Sequence, residues 1–285
     1  MEPSDDRPVR NISDTAVWVA HYRAVESERP DAHFHDPYAR ALAGERGARI
    51  AKSPQFGDRN AWAFVARTTL IDRMIEDAIG AGVDLVVNLA AGLDTRPYRM
   101  PLPAALRWVE VDLPAIFDYK EAVLGDAVPR CALERVRLDL SDEAARQAFF
   151  AAVSVGARDA LVLTEGLLIY LSPAQVSTLA HDVAAQPSFR RWVIDVASPG
   201  LLQVLARQTG QAIVDAGAAF QFAPAEGPDF FRPLGWTPVR VESLLKEART
   251  QNRLPWLLKL FAALPEPKQR NPKRPWSAIV QLQRA

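Results

Sequence analysis

The sequence lacks cysteine pairs, long apolar runs and a net charge, and each absence excludes a class of protein. A single cysteine, Cys131, rules out an internal disulfide. No uncharged apolar run approaches the roughly 18 to 20 residues that a membrane-spanning helix needs, because the nearest one, residues 254–264, is interrupted by Lys259. The polar start, residues 1–6, lacks the apolar core of a signal peptide, so we expect a cytoplasmic protein that does not enter a membrane.

Acidic and basic residues balance along the chain, with 34 Asp and Glu against 34 Lys and Arg. A neutral protein has no overall field that attracts nucleic acid or an anionic membrane, so we expect a small-molecule partner and no nucleic acid. The short basic run at residues 268–274 is broken by proline and is interpreted as a solvated loop. Of the 285 residues, 49% are hydrophobic, which is enough for one large core. We expect one compact unit that is a monomer or a weak homo-oligomer.

From residue 83 onward, short β-rich runs alternate with helical patterns, as in a parallel sheet with crossover helices. We predict an α/β fold with a doubly wound, Rossmann-like, seven-stranded and mostly parallel sheet. The predicted strands are residues 84–89, 107–111, 134–138, 160–164, 191–196, 236–241 and 278–283.

Helical patterns precede the sheet. Helices are predicted over residues 13–27, over residues 39–43 until Gly44 interrupts the pattern, and from the capping residue Asn60 to Gly80. A further helical pattern from residue 201 to 219 and an aromatic, proline-rich segment follow the fifth strand. The predicted organisation is therefore an N-terminal helical cap (1–80), a sheet domain (81–285) and, within that domain, a lid insertion (199–233).

An apolar strand runs directly into a small-residue loop at residues 84–96, Asp-Leu-Val-Val-Asn-Leu-Ala-Ala-Gly-Leu-Asp-Thr-Arg. The next strand ends at Asp112, 20 residues after Gly92. Strand, small-residue turn, helix and acid-tipped strand form the nucleoside-binding half of a doubly wound sheet. The turn lets a ligand approach the backbone, and the acid accepts hydrogen bonds from the ribose hydroxyls.

The loops that follow the first four strands present small and acidic residues at one edge of the predicted sheet, which is where such sheets bind ligands. A single acid after a strand is usually a helix cap or a solvated residue, but a series after four successive strands predicts a site. These residues are Ala90, Ala91, Gly92 and Asp94, then Asp112, then Asp139 and Leu140, then Glu165 and Gly166.

The first loop does not match a nicotinamide cofactor, whose pyrophosphate favours Gly-x-Gly-x-x-Gly at a helix N-terminus. Residues 90–95 contain one glycine and place Asp94 where a phosphate would be repelled. S-adenosylmethionine, a cationic nucleoside without phosphate, tolerates acids near its sulfonium and ammonium groups. We predict that Asp112 binds its ribose and that Asp139 accepts a hydrogen bond from its adenine amino group.

Arg67 lies inside the apolar stripe of its predicted helix, between Phe64 and Ile71. A buried guanidinium needs an anion, and we predict that Arg67 binds the methionine carboxylate of the cofactor. The alternatives are an arginine that extends its stem to the edge of the helix, or one that pairs with Asp72.

Four motifs, in this order, resemble those of the leucine carboxyl methyltransferase-like family. They are Asn88-Leu-Ala-Ala-Gly-Leu-Asp-Thr-Arg96, Trp108-Val-Glu-Val-Asp-Leu-Pro114, Arg137-Leu-Asp-Leu140 and Thr164-Glu-Gly-Leu-Leu-Ile-Tyr-Leu171. The family consists of class I S-adenosylmethionine-dependent methyltransferases, and Ser13-Asp-Thr-Ala-Val-Trp18 resembles the opening of a bacterial branch that includes polyketide O-methyltransferases. The resemblance implies that residues 81–285 form the methyltransferase domain and that Arg67, the Ala90 loop, Asp112, Asp139, Leu140 and Glu165 contact the cofactor. Ala90 departs from the pattern, because eukaryotic members have a glycine there.

No catalytic base stands out. Transfer to a carboxylate needs no base, whereas transfer to an alcohol needs one. His21, Tyr22 and Tyr170 are weak candidates for facing the acceptor, with packing as the alternative role, and His181 is interpreted as a surface residue. The aromatic residues of the insertion, Phe220, Phe222, Phe230 and Phe231, either wall an apolar acceptor pocket or belong to the core.

We predict an S-adenosylmethionine-dependent O-methyltransferase that acts on a carboxylate or hydroxyl of a small molecule and holds no metal. Two alternatives remain. An NAD-dependent reductase shares the nucleoside-binding half, but the sequence contains no Tyr-x-x-x-Lys pair. A non-catalytic cofactor-binding protein has the same fold and needs no base, because a fold does not determine a function.

Overall fold

A seven-stranded sheet lies at the centre of the computed structural model, which describes residues 13–54, 57, 60–209, 214–215, 217–263 and 271–285. The strand order is β3-β2-β1-β4-β5-β7-β6, with β7 antiparallel to both of its neighbours and the other neighbouring strands parallel. The strands are β1 (Leu85–Leu89), β2 (Arg107–Asp112), β3 (Ala132–Arg137), β4 (Ala160–Thr164), β5 (Phe189–Ala197), β6 (Trp236–Ser243) and β7 (Ser277–Arg284). The predicted fold class is confirmed, and the seven predicted strands all form.

Helices connect the strands and cover both faces of the sheet. They are α1 (Ser13–Ser27), α2 (Ala39–Lys52), α3 (Ala61–Gly80), α4 (Arg96–Arg99), α5 (Pro114–Leu124), α6 (Glu143–Val153), α7 (Pro173–Ala184), α8 (Pro199–Thr209), α9 (Leu244–Thr250) and α10 (Trp256–Ala262). Short 3₁₀ segments occupy Leu168–Tyr170 and Gly227–Leu234.

The central strands are buried on both faces, which explains their nearly continuous apolar sequence. Every residue of β1 and β4 is buried. Because side chains alternate along a strand, Leu85, Val87 and Leu89 join one core cluster, whereas Val86 joins the cluster on the opposite face. Burial on both sides is what a parallel sheet requires, since helices cover each of its faces.

The N-terminal helices take two different positions. α1 and α2 pack against each other. Residues of α3, among them Leu70, Ile71 and Met74, instead belong to the same core cluster as Trp108 and Val193 of the sheet. α3 is thus one of the helices that cover the sheet, while the division of the chain at residue 80 stays a prediction.

Several predicted helix limits were wrong. α2 runs to Lys52 rather than stopping at residue 43, because Gly44 only kinks the helix with a φ of 54°. Asn60 precedes α3 but makes no side-chain capping bond; its amide donates to Gln208 Oε1 at 3.2 Å. Of the helix predicted from residue 201 to 219, residues 201–209 belong to α8 and residues 214–215 are helical, whereas residues 217–219 are not helical. Residues 210–213 and 216 of that prediction, residues 268–270 of the basic run and residues 1–12 lie outside the described part of the chain.

Within the described ranges, no helix combines the length and the apolar composition that crossing a bilayer demands.

Candidate active site

A cavity of about 670 Å³ opens at the carboxyl ends of the first five strands. Its floor is formed by residues from the strand ends, and its sides come from α1, α3, α8 and the segment before β6. Residues that follow each of the first four strands line it, as predicted: Ala90, Gly92, Asp94, Asp112, Asp139, Leu140 and Glu165, together with Arg67 of α3. The sheet topology therefore gathers the predicted site residues around one cavity.

The loop after β1 and the end of β2 are joined through one carboxylate. Oδ2 of Asp112 accepts the Gly92 N–H at 2.6 Å, and Oδ1 accepts the Leu113 N–H at 2.7 Å. Burial raises the pKa of the Asp112 carboxyl, although the two amide donors oppose the shift. Each oxygen keeps a further acceptor position, so this carboxylate is oriented and still able to bind two hydroxyl groups.

The segment after β3 is more exposed than the other strand ends. Asp139 is solvent-exposed, and hydrogen bonds from the Ser141 hydroxyl and from the Ser141 N–H, the latter at 2.9 Å to Oδ1, lower its pKa. The Leu140 carbonyl accepts a 2.6 Å hydrogen bond from Arg146, whose guanidinium is held by Asp182 at 2.9 Å. The buried Arg146–Asp182 ion pair thus holds the backbone carbonyl of Leu140 in place.

Arg67 projects from α3 towards two carboxylates at the ends of β4 and β5. Its Nε lies 2.9 Å from Glu165 Oε1, and its Nη1 lies 3.5 Å from Asp195 Oδ2. Nε nevertheless has no hydrogen-bond partner among the described residues, so the contact with Glu165 is poorly aligned. The predicted alternative pair with Asp72 does not form, because Asp72 pairs with Arg96 and Arg99 instead.

Arg96 forms the buried centre of the charge network beneath the cavity. It contacts Asp72 at 2.6 Å, Asp94 at 3.0 Å and Glu165 at 2.7 Å. Burial opposes ionisation of Asp94, which follows β1, and of Glu165, which follows β4. The charges of Arg96 and Lys120 nevertheless lower the pKa of Asp94 to about 2, and those of Arg96 and Arg67 lower the pKa of Glu165. Asp94 lines the cavity, but it also accepts the Asn88 amide and the Arg96 N–H, so much of its hydrogen-bonding capacity is used within the protein.

The candidates for facing an acceptor take different positions. Tyr170 lines the cavity, where its hydroxyl forms a hydrogen bond with Thr15. Neither His21 nor Tyr22 is among the described residues that line the cavity; Tyr22 is buried and accepts a 2.9 Å hydrogen bond from Trp18. His181 is exposed on α7, as predicted.

The aromatic residues of the insertion divide between the two predicted roles. Phe220 and Phe222 line the cavity, and Phe222 also belongs to the core. Phe230 and Phe231 pack into that core and do not line the cavity. Trp18, which packs in one cluster with Phe220, makes an edge-to-face contact with Phe64 with ring centroids 4.9 Å apart. One side of the cavity is therefore apolar and aromatic.

Two charged residues of the site, Asp195 and Arg96, were not predicted from the sequence. Asp195 lies inside β5, two residues before its end, so a rule that considers only the loops after strands does not find it. Arg96 follows Asp94 directly in the loop motif, but a charge next to an acid gives no sign that it is buried. Among the described residues, no group of three His, Cys, Asp or Glu side chains is placed to hold a metal ion.

A model of the leucine carboxyl methyltransferase family matches residues 16–184. A Streptomyces coelicolor protein, named for a proposed S-adenosyl-L-methionine-dependent methyltransferase activity, is 36% identical over 237 residues, which cover 78% of this chain and 80% of the relative. The chain belongs to the leucine carboxyl methyltransferase family. A Mycobacterium tuberculosis protein with the same kind of name is 33% identical over 259 residues, 80% of this chain and 84% of its own.

A crystal structure of a proposed methyltransferase from Thermobifida fusca has the same fold. It superimposes with a TM-score of 0.56 at 17% identity and covers 99% of this chain and 97% of its own. Family membership confirms the resemblance found in the four motifs. It also confirms the prediction of an S-adenosylmethionine-dependent methyltransferase.

Proposed function

We propose that this chain transfers the methyl group of S-adenosylmethionine to an oxygen atom of a small molecule. The observation that carries the proposal is the placement of Arg67 and Asp112 at two separate positions of one cavity. Asp112 ends β2, whereas Arg67 contacts Glu165 after β4, two strands away in the order β2-β1-β4. The cofactor carries an anionic carboxylate at one end and ribose hydroxyls near the other. A guanidinium and an oriented carboxylate match these two groups.

The donor set of the cavity fits this cofactor. Asp112 has an acceptor position left on each oxygen, as a pair of ribose hydroxyls requires. Arg67 has a buried Nε that lies near Glu165 but makes no hydrogen bond among the described residues, so the guanidinium has donor capacity for the methionine carboxylate. Asp139 and Leu140 line the end of the cavity where the adenine would lie, beside the loop of Ala90 and Gly92.

Glu165 and Asp94 complete the proposed cofactor site. Glu165 shares its two oxygens between Arg67 and Arg96, so it places a negative charge close to the methionine end of the cofactor. Asp94 stabilises Arg96 and thereby Glu165. Bound there, S-adenosylmethionine supplies a methyl group activated by the positive charge on sulfur.

The remaining side of the cavity would hold the acceptor. Its wall contains Trp18, Phe64, Phe220 and Tyr170, which form an apolar surface suited to an organic molecule. Excluding water from this side and holding the acceptor in line with the methyl group account for most of what such a transfer requires.

Substituting Arg67 tests the proposed cofactor site. We expect Arg67→Ala to weaken binding of S-adenosylhomocysteine about tenfold or more in calorimetry, because one charge-assisted interaction with the carboxylate is lost. Binding of 5′-methylthioadenosine, which lacks the amino acid, is expected to change little. Equal affinities of wild type and variant for S-adenosylhomocysteine would contradict the assignment of Arg67.

Two controls make this measurement specific. Asp112→Asn is expected to weaken binding of both S-adenosylhomocysteine and 5′-methylthioadenosine, because both contain the ribose. Arg158→Ala removes an exposed arginine outside the cavity and is expected to alter neither affinity. If wild-type protein is stabilised by NAD and not by S-adenosylmethionine in a thermal unfolding assay, the proposed function is wrong.

A further inference from the structure

Asp195 occupies the acceptor side of the cavity. It stands near the carboxyl end of β5, which lies beyond β4 in the strand order, so it is one strand farther from Asp112 than Glu165 is. Its Oδ1 accepts the Gly166 N–H at 2.9 Å. Its side chain lines the cavity with Val196 and Ala197, which continue the strand. Asp195 is therefore positioned to contact whatever lies next to the methionine end of the cofactor.

Asp195 is the least neutralised carboxylate of the charge network. Asp72, Asp94 and Glu165 each lie within 3.0 Å of an arginine nitrogen. Within the described ranges, the one guanidinium contact of Asp195 is the 3.5 Å approach of Arg67, which already faces Glu165. Oδ2 of Asp195 therefore keeps capacity to accept a proton or a hydrogen bond.

No arginine at the cavity wall is available for a second anionic ligand. The described residues that line the cavity include four arginines and no lysine or histidine. Arg23 pairs with Asp36 at 2.9 Å and Arg146 with Asp182 at 2.9 Å, while Arg67 and Arg96 belong to the network beneath the cofactor. A carboxylate acceptor would thus enter an apolar chamber, find no unpaired cation there and face the negative charge of Asp195.

We infer that the acceptor is a neutral hydroxyl compound with an apolar body, and that Asp195 is the general base that takes its proton. This inference rests on the proposed function. The hydroxyl oxygen forms a bond to the methyl carbon as the methyl–sulfur bond breaks and leaves its electron pair on sulfur. The hydroxyl proton passes to Asp195 Oδ2 and then to solvent, so the products are a methyl ether and S-adenosylhomocysteine.

The surroundings of Asp195 suit this role. Burial raises the pKa of the Asp195 carboxyl, and the charge of Arg67 offsets only part of that rise. A carboxylate with a raised pKa is a better proton acceptor than an exposed one. Tyr170, which also lines this part of the cavity, packs against Phe220 with ring centroids 5.7 Å apart and provides a flat wall for an aromatic acceptor.

Two ligands that share a naphthalene ring and differ in charge test whether the cavity prefers a neutral acceptor. Wild-type protein saturated with S-adenosylhomocysteine is titrated with naphthol and with naphthoate in a calorimeter. We expect naphthol to bind about tenfold more tightly, the size of one charge-assisted contact. In Asp195→Asn the preference is expected to fall to about twofold or less, because the amide removes the negative charge. If wild type prefers naphthoate, binds neither ligand, or keeps its preference in the variant, the inference is wrong.

Asp159→Asn is the matched control. Asp159 is a partly buried carboxylate paired with Arg191 at 2.9 Å at the opposite end of the sheet, and it does not line the cavity. This variant is expected to keep the wild-type preference. If Asp195→Asn fails to fold, the wild-type comparison of the two ligands still decides the acceptor class.

Product analysis tests the catalytic role. A panel of aromatic alcohols and aromatic carboxylic acids is incubated with wild-type protein and S-adenosylmethionine, and methylated products are identified by mass spectrometry. We expect ethers and no esters, and we expect Asp195→Asn to lower kcat on the order of hundredfold with little change in KM. Ester products, or a panel that yields no ether, would overturn the inference.

Binding of S-adenosylhomocysteine distinguishes failure of the proposed function from failure of the inference about Asp195. Failure of wild-type protein to bind it contradicts the proposed function itself. If Asp195→Asn weakens that binding as strongly as Arg67→Ala does, Asp195 is a cofactor ligand, and only the inference about the acceptor fails.

Discussion

At the scale of single residues, the loop after β1 depends on a backbone conformation that L-amino acids rarely adopt. Ala90 has a φ of 52° and Gly92 a φ of 51°. Left-handed backbone costs a residue with a Cβ about 1–2 kcal/mol, whereas glycine adopts it freely. Because the Gly92 N–H must reach Asp112, the loop holds this conformation and Ala90 is strained.

Exchanging the residue types at these two positions should change stability in opposite directions. Ala90→Gly is expected to raise the free energy of unfolding by up to about 1 kcal/mol, because it relieves the strain at a smaller cost in unfolded-chain entropy. Gly92→Ala is expected to lower it by about 1 kcal/mol. A Cβ on Gly92 would meet only the Ala16 Cβ at 3.6 Å, which is an ordinary contact. The decrease in the free energy of unfolding therefore measures the cost of left-handed backbone at this position.

Urea unfolding of both variants provides the measurement. The two substitutions act as controls for each other, because they exchange the same pair of residue types within one loop. A destabilised Ala90→Gly variant would show that the Ala90 methyl group contributes packing that outweighs its strain.

At the scale of secondary-structure elements, α4 connects α3 to the sheet through charge. Arg96 and Arg99, at the two ends of this four-residue helix, both pair with Asp72 of α3. Burial opposes the charge on Arg99 as it does on Arg96, yet the pKa of each guanidinium is raised by its carboxylate partners. The network therefore fixes the rotation of α3 about its axis, and with it the direction in which Arg67 projects.

Removing the centre of this network should affect both stability and binding. We expect Arg96→Gln to lower the free energy of unfolding by about 3–5 kcal/mol, because it leaves Asp72, Asp94 and Glu165 buried without their shared cation. Affinity for S-adenosylhomocysteine should fall as well, because Glu165 and α3 lose a support. Urea unfolding and calorimetry measure the two effects.

Arg158→Gln is the corresponding control at the surface. Arg158 pairs with Asp84 at 2.9 Å, but its side chain is 85% exposed. The expected loss is below about 1 kcal/mol, because water and salt screen exposed pairs. Similar losses for the two variants would show that burial of Arg96 does not control the contribution of its ion pairs.

At the scale of the whole molecule, topology explains why much of the site could be predicted. The sequence places acids after successive strands, and parallel strands bring their carboxyl ends to one edge of the sheet. Asp112 and Glu165 could therefore be assigned to one cavity without knowledge of any contact. Arg67 could be found because a charge in an apolar stripe is unusual.

Contacts between distant segments could not be predicted in the same way. Asn60 makes no side-chain capping bond, and its amide nitrogen donates to Gln208, which lies 148 residues away. The direction in which α1 presents His21 and Tyr22 depends on how that helix packs on α2 and α3, which a single-helix pattern does not determine. Arg96 likewise needs partners from α3, the β1 loop and β4 at once.

The elements that cover the cavity lead to a prediction about closure. Thr15 and Trp18 of α1 and Leu201 and Leu205 of α8 line the cavity from outside the sheet. We propose that the helical cap and the insertion after β5 close over bound cofactor and acceptor. Closure should slow amide hydrogen exchange in these two helices, because local opening would then require release of the ligand.

Hydrogen exchange followed by mass spectrometry, with and without saturating S-adenosylhomocysteine, measures this effect. We expect slower exchange in α1 and α8, and unchanged exchange in β6, none of whose residues is among those that line the cavity. At a ligand concentration equal to the wild-type Kd, Arg67→Ala should show much less protection than wild type, which separates a binding effect from a solvent effect. Protection confined to the strand-end loops, with α1 and α8 unchanged, would show that the cavity is already closed in the free protein. The N-terminal helices would then serve as fixed walls rather than as a moving cap.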